Sequence, residues 1–215
     1  MTALTPHTNE LFNKISSLEC IKAYILVGGT ALALQINTRL SEDLDFMSWK
    51  TQPNQKQEVD WVKIEKELAT IGTIEAREIW DFDHVDFLVS GVKVSFYASS
   101  KYSPVTDPIC IKDNLWIADI KSIGAMKMEV LLRRSNFRDY YDLYSIFQYG
   151  INFKEVLDLA LNYSGHNLST KNLLSMLTDS SYFHIDSGFE LLQPKYNVTP
   201  IQIESYLKEC IKTQI

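Results

Sequence analysis

A chain of 215 residues with 46% hydrophobic composition can bury a sizeable core, as one large domain or two small ones. Its formal charge of −6 excludes unspecific binding of a polyanion over the whole surface and leaves only a local basic patch for that purpose. Cys20, Cys110 and Cys210 are widely spaced and odd in number, which excludes a disulfide framework, and no apolar run approaches the ~20 residues that a membrane span needs.

In chain order, spaced Leu11, Phe12, Ile15 and Leu18 predict a helix from Thr8 to Ile21, with Thr8 as its cap. The apolar run Tyr24–Val27 stops at Gly28-Gly29, where small residues let main-chain N–H groups approach an anion. Thr30 then opens an Ala-Leu-Ala-Leu helix, so its hydroxyl and the first helix amides can face the same anion. In Asp43-Leu44-Asp45-Phe46, strand alternation puts both aspartates on one face, a donor pair suited to a hard divalent ion that keeps positions for water and phosphate. A polar loop at 51–56 precedes a second helix, Trp61–Leu68, and three strands at Ile74–Trp80, His84–Ser90 and Val92–Ala98, the last two joined at Ser90-Gly91. Ser99–Pro108 is the best linker, and from Ile117 the patterns are mainly helical, with polar stretches such as Asn162–Asn172. The expected architecture is α+β: a mixed sheet with flanking helices over 1–112, then a mainly helical domain over 113–215. With no amino-terminal basic-then-apolar signal, a cytoplasmic location is expected, where the sequon-like triplets at Asn162, Asn167 and Asn197 stay unused.

A second region carries charge. Between Lys121 and Arg138 lie Lys121, Lys127, Arg133, Arg134 and Arg138 against the single acid Glu129, a positive stretch on an acidic protein. Lys127 and Arg134 fall nearly on one helix face, where they could meet triphosphate or polynucleotide oxygens. The alternative is a solvated helix face with Arg138 and Asp142 as an i,i+4 ion pair. Lys127, between Met126 and Met128, suggests a partly buried charge that needs a partner.

Together, Leu26-Val27-Gly28-Gly29-Thr30-Ala31-Leu32, Arg39-x-Ser41-x-Asp43-x-Asp45-Phe46, Asp119–Lys127 and Arg138-Asp139-x-x-Asp142-Leu143 resemble the AbiEii/AbiGii-type nucleotidyltransferase toxins of the DNA polymerase β-like superfamily. The resemblance spans Tyr24–Leu143 in family order. It implies a polymerase β-like nucleotidyltransferase sheet followed by a helical domain, magnesium (or manganese), a nucleoside triphosphate as substrate, and a cognate antitoxin as partner. It assigns the triphosphate to Gly28, Gly29 and Thr30, with Arg39 and Ser41 in the same motif, metal ions to Asp43 and Asp45, and phosphates to Lys127. Arg138, Asp139 and Asp142 match the late motif, in which the acids are structural or catalytic. The resemblance implies as acceptor an RNA, in particular the end of a transfer RNA, with Lys121–Arg138 as its contact, or else a protein hydroxyl. The superfamily's third carboxylate falls where this chain has Ser95. A two-residue turn at Ser90-Gly91 pairs Asp86 with Ser95, which makes Asp86 the candidate substitute; without it the fold would be a catalytically idle binding module. Paired aspartates also suit a metal-dependent phosphohydrolase, although no lysine follows the Gly-Gly-Thr step as in a P-loop.

Overall fold

The computed structural model describes residues 3–165 and 168–215, so Asn167 and part of the polar stretch at 162–172 lie outside the described residues. The chain divides into two compact units: Met1–Leu34 with Leu40–Asp119, and Gln35–Arg39 with Ile120–Ile215.

The first unit is built on strands β1 (Ile25–Val27), β2 (Leu44–Ser48), β3 (Ile74–Asp81), β4 (His84–Val89), β5 (Val92–Ala98), β6 (Ile109–Lys112) and β7 (Leu115–Ile117). Their order in the sheet is β3-β4-β5-β2-β1-β7-β6. The β2–β5 and β1–β7 pairs are parallel and the others antiparallel, the mixed sheet that the sequence predicts. Period-two alternation makes one face the core: Leu44 and Phe46, Val85, Phe87 and Val89, and Val92, Val94 and Phe96 are all buried. Phe96 stacks on Phe46 at 5.2 Å and meets Tyr24 edge-on at 5.1 Å. Each such side chain contributes about 1.5–3 kcal/mol by leaving water. Ser90 and Gly91 both have positive φ, 48° and 77°, as a two-residue turn of type I′ requires. The turn sets Val89 opposite Val92 and Asp86 opposite Ser95, the register counted from the sequence.

Three local expectations are corrected. Helix α1 spans Pro6–Ile15 with Thr5 at the N-cap position, because Pro6 suits the first helical turn; Thr8 lies inside the helix and donates to the Glu42 carbonyl at 2.8 Å. Ser99–Pro108 is no linker between domains but the connection from β5 to β6, with Ser99 N–H donating to the Ser48 carbonyl at 2.8 Å. The division falls after Asp119 rather than after residue 112, since β7 pairs with β1 and Ala118 N–H donates to the Leu26 carbonyl at 2.9 Å. Helices α2 (Gly28–Ile36) and α3 (Trp61–Leu68) complete the first pattern, the latter with the bounds read from its periodicity.

The second unit is helical, with α4 (Ile120–Val130), α5 (Phe137–Gln148), α6 (Phe153–Ser164), α7 (Thr170–Leu177) and α8 (Pro200–Gln214). Helix α4 packs on α5 and α6, and α8 on α5, α6 and α7. Tyr141 ties residues 35–39 into this unit: its hydroxyl donates to the Thr38 carbonyl at 2.9 Å and accepts from Tyr196 N–H at 3.0 Å. All three cysteines are free, and among the described residues no helix is long and apolar enough to cross a membrane.

Candidate active site

Strand β1 runs directly into α2, and Gly28, the first helical residue, has φ +70°. Val27 is paired with Asp45 across the strands, and a Cβ built on Gly28 would lie 2.8 Å from Asp45 Oδ2. The carboxylate thus occupies the space that any other residue at 28 would fill, beside the positive end of the α2 dipole. Gly28→Ala is expected to push Asp45 aside and strain the backbone, costing about 1–3 kcal/mol together with most of the activity; a melting curve and a transfer assay on one preparation check both.

Leu44 and Phe46 point into the core, so Asp43 and Asp45 share the opposite face, half-buried. Thr30 and Ser41, expected on the nucleotide, are instead buried and joined to each other. Thr30 Oγ1 reaches Ser41 Oγ at 2.8 Å and also the Asp43 carbonyl, which fixes the approach to β2. These contacts hold Asp43 in place.

Beyond Asp45, the same row of the sheet continues through Ser95 to Asp86. Ser95 is 0% exposed, between Asp45 and Asp86 in that row. Asp86 accepts from Trp80 Nε1 at 3.0 Å, meets His84 Nε2 at 2.9 Å and pairs with Lys93 Nζ at 2.9 Å. Burial opposes ionisation of Asp86, yet Lys93, Ser95, His84 and Trp80 outweigh it and hold the carboxyl below its usual range. Burial likewise opposes the charge on Lys93, but its bond to Asp86, with Tyr97 and Asp45 close by, keeps the ammonium above its usual range. Asp86, expected to complete a metal triad, faces nitrogen donors in this structure. Among the described residues no three His, Cys, Asp or Glu are grouped to hold a metal, and the Asp86 oxygens are taken by nitrogen donors. Trp80, His84, Lys93 and Tyr97 escaped the sequence reading, although the alternation of β4 and β5 already sets His84, Lys93 and Tyr97 on the polar face with Asp86.

In the second unit, Lys127, Arg39, Asp139 and Asp142 form a buried ionic cluster. Lys127 is 6% exposed, and its Nζ lies 2.7 Å from both Asp139 Oδ1 and Asp142 Oδ2. Arg39 donates through Nε and a terminal nitrogen to the two oxygens of Asp142, each at 2.8 Å, the fork geometry of a strong pair. Burial works against the charges of Lys127 and Arg39, but Asp142 and Asp139 more than offset it and raise both above their usual ranges. Arg39 and Lys127, expected on the nucleotide, therefore meet carboxylates, and Asp142 takes these two cations while Arg138 pairs with Asp186. The positive stretch is largely neutralised: Lys121 pairs with Glu155 at 2.5 Å, Arg134 with Asp139 at 3.1 Å and Arg133 with Glu129 at 3.8 Å. Sequence counting saw the cations but not acids such as Glu155 and Asp186, which folding brings from outside the stretch.

The model of the nucleotidyl transferase AbiEii toxin family, of a type IV toxin–antitoxin system, matches residues 11–202. The chain belongs to the AbiEii family. This AbiEii protein is a toxin-family nucleotidyltransferase, as the resemblance of its motifs implied. It is 28% identical over 161 residues to an uncharacterized protein of Aquifex aeolicus strain VF5, covering 73% of each chain. Its fold is similar to that of a crystal structure from H. pylori described as a nucleotidyltransferase, with a TM-score of 0.56 at 19% identity over 96% of this chain and 94% of that one. It is also similar to MenT4, a nucleotidyltransferase toxin of Mycobacterium tuberculosis H37Rv, with a TM-score of 0.58 at 12% identity over 99% and 90% of the two chains. At these identities the likeness shows the fold. The family implies a divalent metal, and the AbiEii residues fit one: Asp43 and Asp45 supply oxygen donors only, and Gly28 leaves the Asp45 carboxylate room at the start of α2.

Proposed function

We propose that this AbiEii nucleotidyltransferase moves a nucleotide from a nucleoside triphosphate to a hydroxyl of RNA in the cytoplasm, and that a cognate antitoxin opposes it. The observation that carries the reading is the Asp45 carboxylate set against Gly28 at the start of α2, with Asp43 on the same face. The Gly28-Gly29 backbone and the positive end of α2 receive the triphosphate. Asp43 and Asp45 hold a magnesium or manganese ion, whose chemistry when bound is to neutralise charge building on the phosphate oxygens. The acceptor hydroxyl attacks the α-phosphorus in line, the bond to the β-phosphate oxygen breaks, and pyrophosphate leaves. The Thr30–Ser41 pair keeps the carboxylates in register, so positioning and electrostatics supply most of the acceleration.

The test is incubation with each α-labelled nucleoside triphosphate, magnesium and total cellular RNA, beside an Asp43→Ala/Asp45→Ala variant. Label entering RNA only with intact aspartates is the expected result. Label entering protein would move the acceptor to a protein hydroxyl, and phosphate release without a labelled acceptor would mean a phosphohydrolase. Bound nucleotide with no label would leave an idle binding module, which Ser95 in place of a carboxylate favours.

A further inference from the structure

We propose that Trp80, His84 and Tyr97 form a stacking platform for an unpaired base near the acceptor end of a single-stranded RNA, with Lys93 holding a phosphate of that strand. The proposal rests on the transfer reading above and adds where the acceptor sits. Trp80 is 65% exposed, so it is no core residue, yet its indole N–H is bonded to the buried Asp86 carboxylate at 3.0 Å. Its ring lies nearly parallel to His84 at 6.1 Å and 17°, and His84 lies on Tyr97 at 4.3 Å and 24°. An exposed aromatic held in one orientation loses little freedom on binding, which suits a planar partner.

The sheet register puts these rings on the side of the aspartates. Asp45 is opposite Ser95 and Met47 opposite Tyr97; Ser95 is opposite Asp86 and Tyr97 opposite His84, and directly opposed residues share a face. Gly28 and the start of α2 lie on the β1 side of β2, whereas the rings lie on β5, β4 and β3, the other side. In-line displacement requires the attacking hydroxyl opposite the leaving pyrophosphate. With the triphosphate on the β1 side, the hydroxyl approaches from the side of the rings. Strands ~4.8 Å apart place the ladder roughly 5 to 15 Å from β2, within a few stacked bases of ~3.4 Å each.

The chemistry favours a base there over a string of phosphates. Glu78, directly opposite Asp86, makes the outer edge acidic, while Lys93 is the cation nearer Asp45. Aromatic faces take any base, so the contact is tolerant of sequence. The stretch expected to bind RNA, Lys121–Arg138, has its cations on carboxylates, as Lys93 is on Asp86, so the exposed Trp80 ring rather than charge favours this face.

Fluorescence anisotropy of a labelled single-stranded RNA oligonucleotide, with the full chain in magnesium and no nucleotide, tests the platform independently of turnover. Trp80→Ala is expected to weaken binding about tenfold, and Trp80→Phe, which keeps a ring but loses the bond to Asp86, to stay within about threefold of the parent. Tyr149→Ala, on an exposed aromatic of the second unit, is expected to change nothing, and nucleoside triphosphate affinity to hold in all three variants. Unchanged RNA affinity in Trp80→Ala, loss of triphosphate affinity instead, or no RNA binding by the parent would overturn the platform. Label reaching protein while anisotropy stays silent sinks the platform and leaves nucleotidyl transfer standing. Trp80-dependent RNA binding with no label moved anywhere sinks the transfer reading and leaves the platform.

Discussion

Asp45→Asn is expected to lower nucleotidyl transfer about a thousandfold while shifting the melting midpoint by no more than about 4 °C. The first figure follows from a carboxylate whose ion is asked for about 4 kcal/mol of charge stabilisation, at 1.36 kcal/mol per factor of ten. The second follows because asparagine keeps the shape that fits against Gly28, and a half-buried carboxylate at the start of α2 contributes about 0.3–1 kcal/mol through the helix dipole. Initial rates at saturating triphosphate, measured beside a thermal melt, separate chemistry from folding. An Asn variant with parental activity would remove Asp45 from the metal and with it the assignment of the site.

Asp142→Ala is expected to destabilise the protein by about 3–5 kcal/mol, lowering the melting midpoint by about 6–20 °C, because it takes from the buried Arg39 and Lys127 the carboxylate that pairs with both. Burial alone would raise the Asp142 pKa, but the charges and hydrogen bonds of Arg39 and Lys127 bring it down to about 2. A carboxyl depressed in the folded state contributes stability above its ordinary value near 4 and loses it as pH falls towards about 2. Lys127, raised in the folded state, contributes fully below its ordinary 10.5 and loses that only as pH climbs through its higher folded value. Denaturant midpoints of the parent should therefore fall on the acid side, and the Asp142→Ala variant should show a shallower acid limb, since Asp86, Asp186 and Glu204 remain depressed in the folded state. If it melts like the parent but loses transfer, the cluster serves the reaction, and a phosphate role for Lys127 returns.

The sequence went far where the physics is local. Two glycines after an apolar run, aspartates alternating with Leu44 and Phe46, and a turn at Ser90-Gly91 each depend on a few neighbouring residues. Backbone freedom and strand period fixed them before any long-range contact formed. The register that sets Asp86 opposite Ser95 could be counted outward from the turn for the same reason. The short strands Ile109–Lys112 and Leu115–Ile117 could not be read in that way: the first is exposed along its length, and the second is defined by pairing with β1, remote in sequence.

Charge was where the sequence was least legible, because a charge takes its surroundings from whatever folding brings near it. Lys127, Arg39 and Arg138 look like phosphate ligands in one dimension. In three dimensions Lys127 and Arg39 are clamped by Asp142, with Asp139 also on Lys127, and Arg138 by Asp186, since a buried cation without a counter-ion would cost several kcal/mol. Asp86 looks like a spare metal ligand until Trp80, His84 and Lys93 take up its oxygens. By itself, then, the sequence determined the family, the mixed sheet, the glycine step and the aspartate pair, all carried by short-range pattern. Only the tertiary structure decided which charges are spent on one another and which rings stand beside the aspartates, because those depend on partners distant along the chain.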